Sequence, residues 1–275
     1  MANLQFFLEH WDLIQDGPVL STHSSILAPA HLGSTPVMLK IVDPGDDESQ
    51  SWQLLKIYSG RGAVKLLDRF DNALLLQRLI PNRLQPSLEE MVLSGKDDEA
   101  TTIICNQILT LNAQSENQGP YQGCNTFLGR IQEMLNYLNS ADIDESYCPL
   151  FDYGHSIALE LDHEPPYLLH GDLHHFNILN DQEYGWVATD PKGIWGPRAY
   201  EYSAPLCNPT PHTLIVADPI TMLRRASIMQ ERSKLAASLL LHFAFVHALQ
   251  VAAWCKSPAD FDYWIACAQA LRKTI

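Results

Sequence analysis

Asp172, Asn177 and Asp190 supply the oxygens around which chemistry can be organised in this chain. They lie in Tyr167–Asn208, which reads YLLHGDLHHFNILNDQEYGWVATDPKGIWGPRAYEYSAPLCN. An apolar run enters His170-Gly171-Asp172, Asn177 stands five residues beyond that Asp, and a second apolar run ends at Asp190. One amide and two carboxylates thus sit at strand and loop edges, where a hard divalent cation and a nucleophilic hydroxyl can meet. The same residues admit two other readings. His170, Asp172, His174 and His175 are all ligand types and can build a metal cluster, and an isolated Asn or Asp at a turn is an ordinary cap. Lys40 adds a cation. It is the single basic residue of the strand-like run VMLKIV, Val37 to Val42, where a Lys is costly unless an anion or water meets it. A solvated edge-strand Lys is the plain alternative.

The elements that must hold these groups can be read from periodicity and turn residues. Residues 3–12 form a short amphipathic helix or an arm, followed by a turn at Asp16-Gly17-Pro18. Val19 to Ala30 suits a strand, a turn and a strand, and Val37 to Val42 is a further strand. Residues Asp46 to Tyr58 read as one helix ending at Gly60. Ala63–Asp68 and Ala73–Gln77 are strands around the turn Phe70-Asp71-Asn72. From Pro81 onward the pattern is helical. Helices are expected over Leu88–Ser94, Glu99–Asn112 and Phe127–Ser140, near His155 to Asp162, and over Pro219–Met229, Leu235–Trp254 and Phe261–Leu271. Ser115 to Tyr121 reads as a polar linker. A small sheet with one helix, then a helical region, gives an α+β chain in two lobes, residues 1–80 and 81–275.

The motifs support a closer identification. The pattern H-x-D-x-x-x-x-N followed by an Asp after a strand resembles the catalytic and metal loops of the protein-kinase-like phosphotransferases. The strings HGDLHHFNIL and DPKG, with P, YE, A and NP spaced behind them, resemble the streptomycin 6-kinase/hydroxyurea-resistance branch of the aminoglycoside phosphotransferase family. SSILAP, PVMLK, GAVKLL and LLLQRL extend the likeness over residues 10 to 210 or so. The resemblance implies a protein-kinase-like fold, with a small β-rich N-terminal lobe that binds nucleotide and a larger, mainly helical C-terminal lobe. It implies an ATP- and Mg²⁺-dependent transfer of the γ-phosphate to a hydroxyl of a small molecule, with streptomycin-type aminoglycosides as the acceptors the family name suggests. Asp172 takes the catalytic aspartate position, and Asn177 and Asp190 take the metal positions. Lys40 takes the position that holds the nucleotide phosphates, Ser24 and Ser25 (with His23) the phosphate turn, and Leu76 to Pro81, including Gln77 and Leu79, the hinge that meets adenine. His170 becomes a support of the loop and Glu201 a buried brace. The family's glutamate partner for the strand lysine falls at Ser51 here, with Glu48 one helical turn away as the substitute. That departure keeps a second reading open, a nucleotide-binding protein with weak or no catalysis. A choline-, homoserine- or fructosamine-like kinase is a third, disfavoured by DPKG and NP.

Composition narrows the partners. The chain has 275 residues, 46% of them hydrophobic, enough for real cores. Its net charge of −14 argues against a nucleic-acid backbone as partner. It suits a cationic or polyhydroxyl small molecule. The acidity peaks near the motifs: 12 Asp and Glu fall between Asp142 and Glu201, against only Lys192 and Arg198. Asp162, Glu164 and Glu201 are therefore candidate contacts for an amino or guanidino substrate. The six cysteines form no Cys-x-x-Cys pair and read as core thiols in a reducing compartment. The start MANLQFFLEHWDL lacks the basic opening of a signal peptide. Leu235 to Trp254 has the length to span a bilayer, but its Ser238, His242, His247 and Gln250 fit a buried helix better. A cytoplasmic, non-membrane enzyme is expected.

Overall fold

The computed structural model describes residues 4–275 apart from residues 23, 141, 142 and 162, with no side chain described at residue 47. A short helix, Leu4–His10, leads into six strands: β1 (Leu13–Gln15), β2 (Leu20–Ser21), β3 (Ser25–Leu32), β4 (Thr35–Val42), β5 (Leu66–Phe70) and β6 (Ala73–Gln77). They form one antiparallel sheet in the order β1-β3-β4-β6-β5, with β2 also on β3. The period of two along β4 decides which way its lysine faces. Val37, Leu39 and Ile41 are buried with Phe7, Leu8, Leu13 and Leu75 in a small core under the N-terminal helix. Lys40 alternates with them and projects from the opposite face of the sheet, between Leu27 of β3 and Leu74 of β6.

The segment read as one helix from Asp46 to Tyr58 is two elements, a 3-10 turn at Asp47–Gln50 and an α-helix at Trp52–Tyr58, joined at Ser51. The turn carries the polar sequence DESQ, with no apolar residue to bury against the sheet. It is closed instead by Asp46, whose Oδ1 accepts the Glu48 N–H at 2.9 Å. The strand expected at Ala63–Asp68 also shifts. It runs over Leu66–Phe70, because Ala63 and Val64 bridge to Ala188 in the other lobe.

The rest of the chain is mainly helical and matches the expected two-lobed α+β class. Helices Asp97–Ser115, Phe127–Leu138, Cys148–Leu161, Pro219–Ser233 and Pro258–Leu271 surround Ala237–Trp254 or one another. Cys148–Leu161 begins well before the expected helix near His155, since Phe151, Gly154, Ile157, Ala158 and Leu161 already form one buried stripe. Ala237–Trp254 is long and apolar enough to cross a membrane, the one such helix among the described residues, and 61% of it is buried inside the fold. It serves as the central core helix. Five short strands carry the motifs: β7 (Asn125–Thr126), β8 (Pro166–Leu169), β9 (Ile178–Asp181), β10 (Gly185–Ala188) and β11 (Ile194–Pro197). β9 and β10 form an antiparallel hairpin, and β11 lies between β8 and β7.

One buried ion pair ties the helices beneath these loops. Arg225 is fully buried, and its guanidinium bonds Asp97 through Nε and Nη2 and donates from Nη1 to the carbonyls of Pro205 and Asn208 at 3.0 and 2.5 Å. Arg224 supports the same carboxylate at 2.8 Å. Replacing Arg225 by Met should lower the free energy of unfolding by about 3 kcal/mol, because Asp97 stays buried with one partner fewer. Urea titration checks this, and an unchanged midpoint would contradict the assignment.

Candidate active site

The loop between β8 and β9 is fixed from below by Glu201. This carboxylate, only 3% exposed, accepts the N–H groups of His170 at 2.7 Å and Gly171 at 2.9 Å. Burial pushes its pKa up to about 7, opposed by those two donors. Gly171 has φ +82, and a Cβ there would lie 2.5 Å from Ile194 Cδ1, so the turn needs glycine. His170 is fully buried, and burial lowers its pKa to about 3, leaving a neutral ring. Its Nε2 meets the Thr189 carbonyl at 2.9 Å and its Nδ1 accepts the Asp172 N–H at 3.4 Å, which sets the proton on Nε2. The ring thereby links the Asp172 loop to the segment carrying Asp190. Both nitrogens are used, and among the described residues no three His, Cys, Asp or Glu converge as a metal cluster.

Asp172 and Asn177 meet at the tip of this loop. Asn177 Nδ2 donates to the Asp172 carbonyl at 2.8 Å and approaches its Oδ2 at 3.4 Å, which leaves the amide oxygen for another ligand. The Asp172 side chain keeps 31% of its surface exposed, with His174 Nε2 at 3.6 Å from Oδ1. Burial in the cleft raises the Asp172 pKa, against the pull of His174, Lys192 and Arg130. Asp190, in the left-handed region at φ 55, turns its carboxylate toward the sheet.

There it meets Lys40. Lys40 Nζ bonds Asp190 Oδ1 at 2.8 Å and Glu48 Oε2 at 2.7 Å, and Lys192 Nζ bonds Glu48 Oε1 at 2.8 Å. The four side chains alternate in sign and cross twice between the lobes. Lys40 and Glu48 are 5% and 6% exposed. Burial alone would lower the Lys40 pKa, but Asp190 and Glu48 hold it above the usual lysine value. Burial alone would raise the Glu48 pKa, but Lys40 and Lys192 hold it below the usual carboxylate value. Glu48, one turn before Ser51, is thus the partner of the strand lysine. Ser51 forms the junction with the following helix.

The expected nucleotide residues divide into two groups. Leu79 and Gln77 line a small cavity with Leu27, Val64, Leu179 and Asp190, where apolar walls from both lobes face each other. Ser24 and Ser25 are buried and turn their N–H groups onto Thr22 Oγ1 at 3.3 and 2.9 Å, so in this structure they close their own turn. His23 lies outside the described residues. A second cavity of ≈ 600 Å³ opens beside Asp172, His174 and Lys192. Of the acidic candidates for its wall, Glu201 is consumed by the loop, Glu164 is exposed elsewhere, and Asp162 lies outside the described residues. The wall comes from Trp254, Asp260, Tyr263 and Trp264 instead, with Arg130. No motif marks these positions, and only the aromatics on either side of the turn after the central helix signal them.

Comparison with known proteins agrees with this architecture. Residues 10–258 match the model of the family described as aminoglycoside/hydroxyurea antibiotic resistance kinase. The chain is 34% identical over 205 residues to a streptomycin 3''-kinase of Klebsiella pneumoniae, covering 74% of this chain and 72% of that one. It is 26% identical over 228 residues to a streptomycin 6-kinase of Streptomyces glaucescens, covering 82% and 72%. The apo structure of a thermostable mutant of aminoglycoside phosphotransferase APH(4)-Ia superposes with a TM-score of 0.68 at 15% identity, covering 98% of both chains, which is a likeness of fold.

The sign of the Glu48 shift gives a test. Its contribution to stability is complete above the usual carboxylate value of 4.5 and is lost as pH falls through the lower folded value. Between about pH 6 and about pH 3, Glu48→Gln should therefore lose less stability than the parent. Urea midpoints at the two pH values report it, and equal losses would sink the idea.

Proposed function

The chain belongs to the aminoglycoside/hydroxyurea antibiotic resistance kinase family, and from that premise we propose that it moves the γ-phosphate of ATP to a hydroxyl of a small molecule, with Asp172 as its base. The observation that carries this reading is the chain of ion pairs from Asp190 through Lys40 and Glu48 to Lys192, set beside Asp172 and Asn177. Residues 1–80 then act as the nucleotide lobe, and residues 81–275 carry the catalytic loop, the metal residues and the acceptor site.

The donor set suits Mg²⁺. Asp190 keeps 39% of its side chain exposed despite its bond to Lys40, and Asn177 has its amide oxygen uncommitted by the bonds of Nδ2. One carboxylate and one amide oxygen leave coordination positions for water and phosphate oxygens, the usual composition of a magnesium site. When bound there, the ion would neutralise charge on the phosphates. Lys40 would hold phosphate oxygens, positioned for them by Glu48. Adenine would lie between Leu27 and Leu179 against the hinge at Gln77 and Leu79. Asp172 orients the acceptor hydroxyl and takes its proton as the new P–O bond forms and ADP departs. Its burial suits that role, since a more basic carboxylate is a better proton acceptor. A nucleotide-binding protein without catalysis drew its support from Ser51, and the bond of Glu48 to Lys40 weighs against that reading. The names of the relatives put streptomycin first among the acceptors to offer, in a cytoplasm that supplies ATP.

Asp172→Asn should lower kcat by at least about 100-fold while leaving Mg-ATP binding within about twofold. Asp190→Asn should weaken the magnesium-dependent part of nucleotide binding as well. ADP release and calorimetry separate the two, and transfer at the parental rate by Asp172→Asn would refute the assignment of the base.

A further inference from the structure

The central helix sets one further polar side chain into the wall of the cavity beside Asp172. His247 lies in the buried part of Ala237–Trp254, is 4% exposed, and borders that cavity with Asp172, Trp254 and Trp264. A polar ring in so apolar a helix must find partners for its nitrogens or forfeit the hydrogen bonds that water would give it. Nδ1 stands 3.2 Å from the Tyr200 hydroxyl oxygen. That hydroxyl has a single proton and donates it to Gln250 Oε1 at 2.9 Å, so toward His247 its oxygen accepts. Nδ1 therefore carries the imidazole proton. Burial, reinforced by the charge of Arg130, lowers the His247 pKa to about 3, and the ring is neutral with a bare lone pair on Nε2.

Among the described residues no group lies within hydrogen-bond distance of Nε2 to use that lone pair. Unlike both nitrogens of His175, the atom is not sealed inside the protein, and the space that His247 borders is the cavity. The ring is also held in place. Tyr200 and Trp264 pack edge-on against it, each at 5.7 Å, and Nδ1 is tied to Tyr200. A fixed acceptor atom thus shares one cavity with the exposed part of the Asp172 carboxylate. Few, well-placed polar groups in a largely apolar wall are what orients a small molecule. In the kinase reading Asp172 takes the hydroxyl that reacts, which leaves His247 for a second group of the same molecule.

We propose that His247 is a specificity-determining residue of the acceptor site, its Nε2 accepting a hydrogen bond from a hydroxyl or N–H group of the acceptor other than the hydroxyl directed to Asp172. The inference rests on the kinase reading and deepens it. It assigns the acceptor to molecules that carry a second donor, such as polyols, amino alcohols and amino sugars. Simple monohydric alcohols leave the lone pair unpaired in the complex and are rejected for that reason.

Two variants separate this role from a structural one. His247→Asn can still donate to Tyr200 from its Nδ2 but places nothing where Nε2 was. His247→Gln gives up the Tyr200 bond but brings its Oε1 to that place. The assay offers Mg-ATP with streptomycin, glucosamine and myo-inositol, and follows the best of the three. His247→Asn should raise the acceptor KM about tenfold and His247→Gln by no more than about threefold, with the KM for ATP within about twofold in both. Any other order of the two acceptor KM values overturns the proposal and leaves the kinase reading standing. Nitrogen resonances of the parent protein carrying isotope-labelled histidine give a readout without turnover. Nε2 of His247, assigned by its loss in His247→Asn, should be unprotonated in the free protein and move upfield as an acceptor binds. A proton on Nε2, or no movement with any of the three compounds, overturns the proposal. If none of them is phosphorylated, the kinase reading is what fails, and the nitrogen signal alone then decides the role of His247.

Discussion

The structure depends on keeping four charges paired in the cleft between the lobes. Lys40 and Glu48 are almost completely buried, and the desolvation of either one alone would cost several kcal/mol. Asp190 and Lys192 complete the alternation from the other lobe. Buried ion pairs are poor sources of stability, because their attraction largely repays the water they lose. Their value here is geometric. They hold a strand, a 3-10 turn and the Asp190 segment in one register, at the place proposed for the nucleotide phosphates.

Beneath that chain of ion pairs, the helical lobe supplies rigidity through buried polar groups. Glu201 fixes the turn at Gly171, His170 joins that turn to Thr189, and Arg225 binds Asp97 to the carbonyls of Pro205 and Asn208. Each satisfies backbone groups that a loop would otherwise leave unpaired in the interior. The loop carrying Asp172 is therefore overdetermined, while the exposed part of Asp172 remains open to the larger cavity.

Much of this was legible in the residues. The two-lobed class followed from strand and helix periods, and the spacing of Asp172 and Asn177 fits the contact they make on one loop. The alternation in VMLKIV explained why Lys40 leaves the small core. What could not be read was long-range. The resemblance pointed to Ser51 with Glu48 one turn away as its substitute, but not to the 3-10 turn that brings Glu48 to Lys40 in place of the expected helix. The acidity between Asp142 and Glu201 suggested a carboxylate-lined acceptor site. Glu201 instead turns inward to backbone N–H groups, and the walls come from a helix pair near the C-terminus. Net charge along a sequence does not say which way the carboxylates point.

The proposed replacement of the expected helix glutamate by Glu48 would join fold to activity, and it is open to a direct measurement. Calorimetric titration of Mg-ATP into the parent, Glu48→Gln and Ser51→Ala would decide it. The account predicts that Glu48→Gln weakens binding by about tenfold or more, because Lys40 loses the carboxylate that aims it, while Ser51→Ala binds like the parent. Parental affinity in Glu48→Gln together with a loss in Ser51→Ala would contradict it.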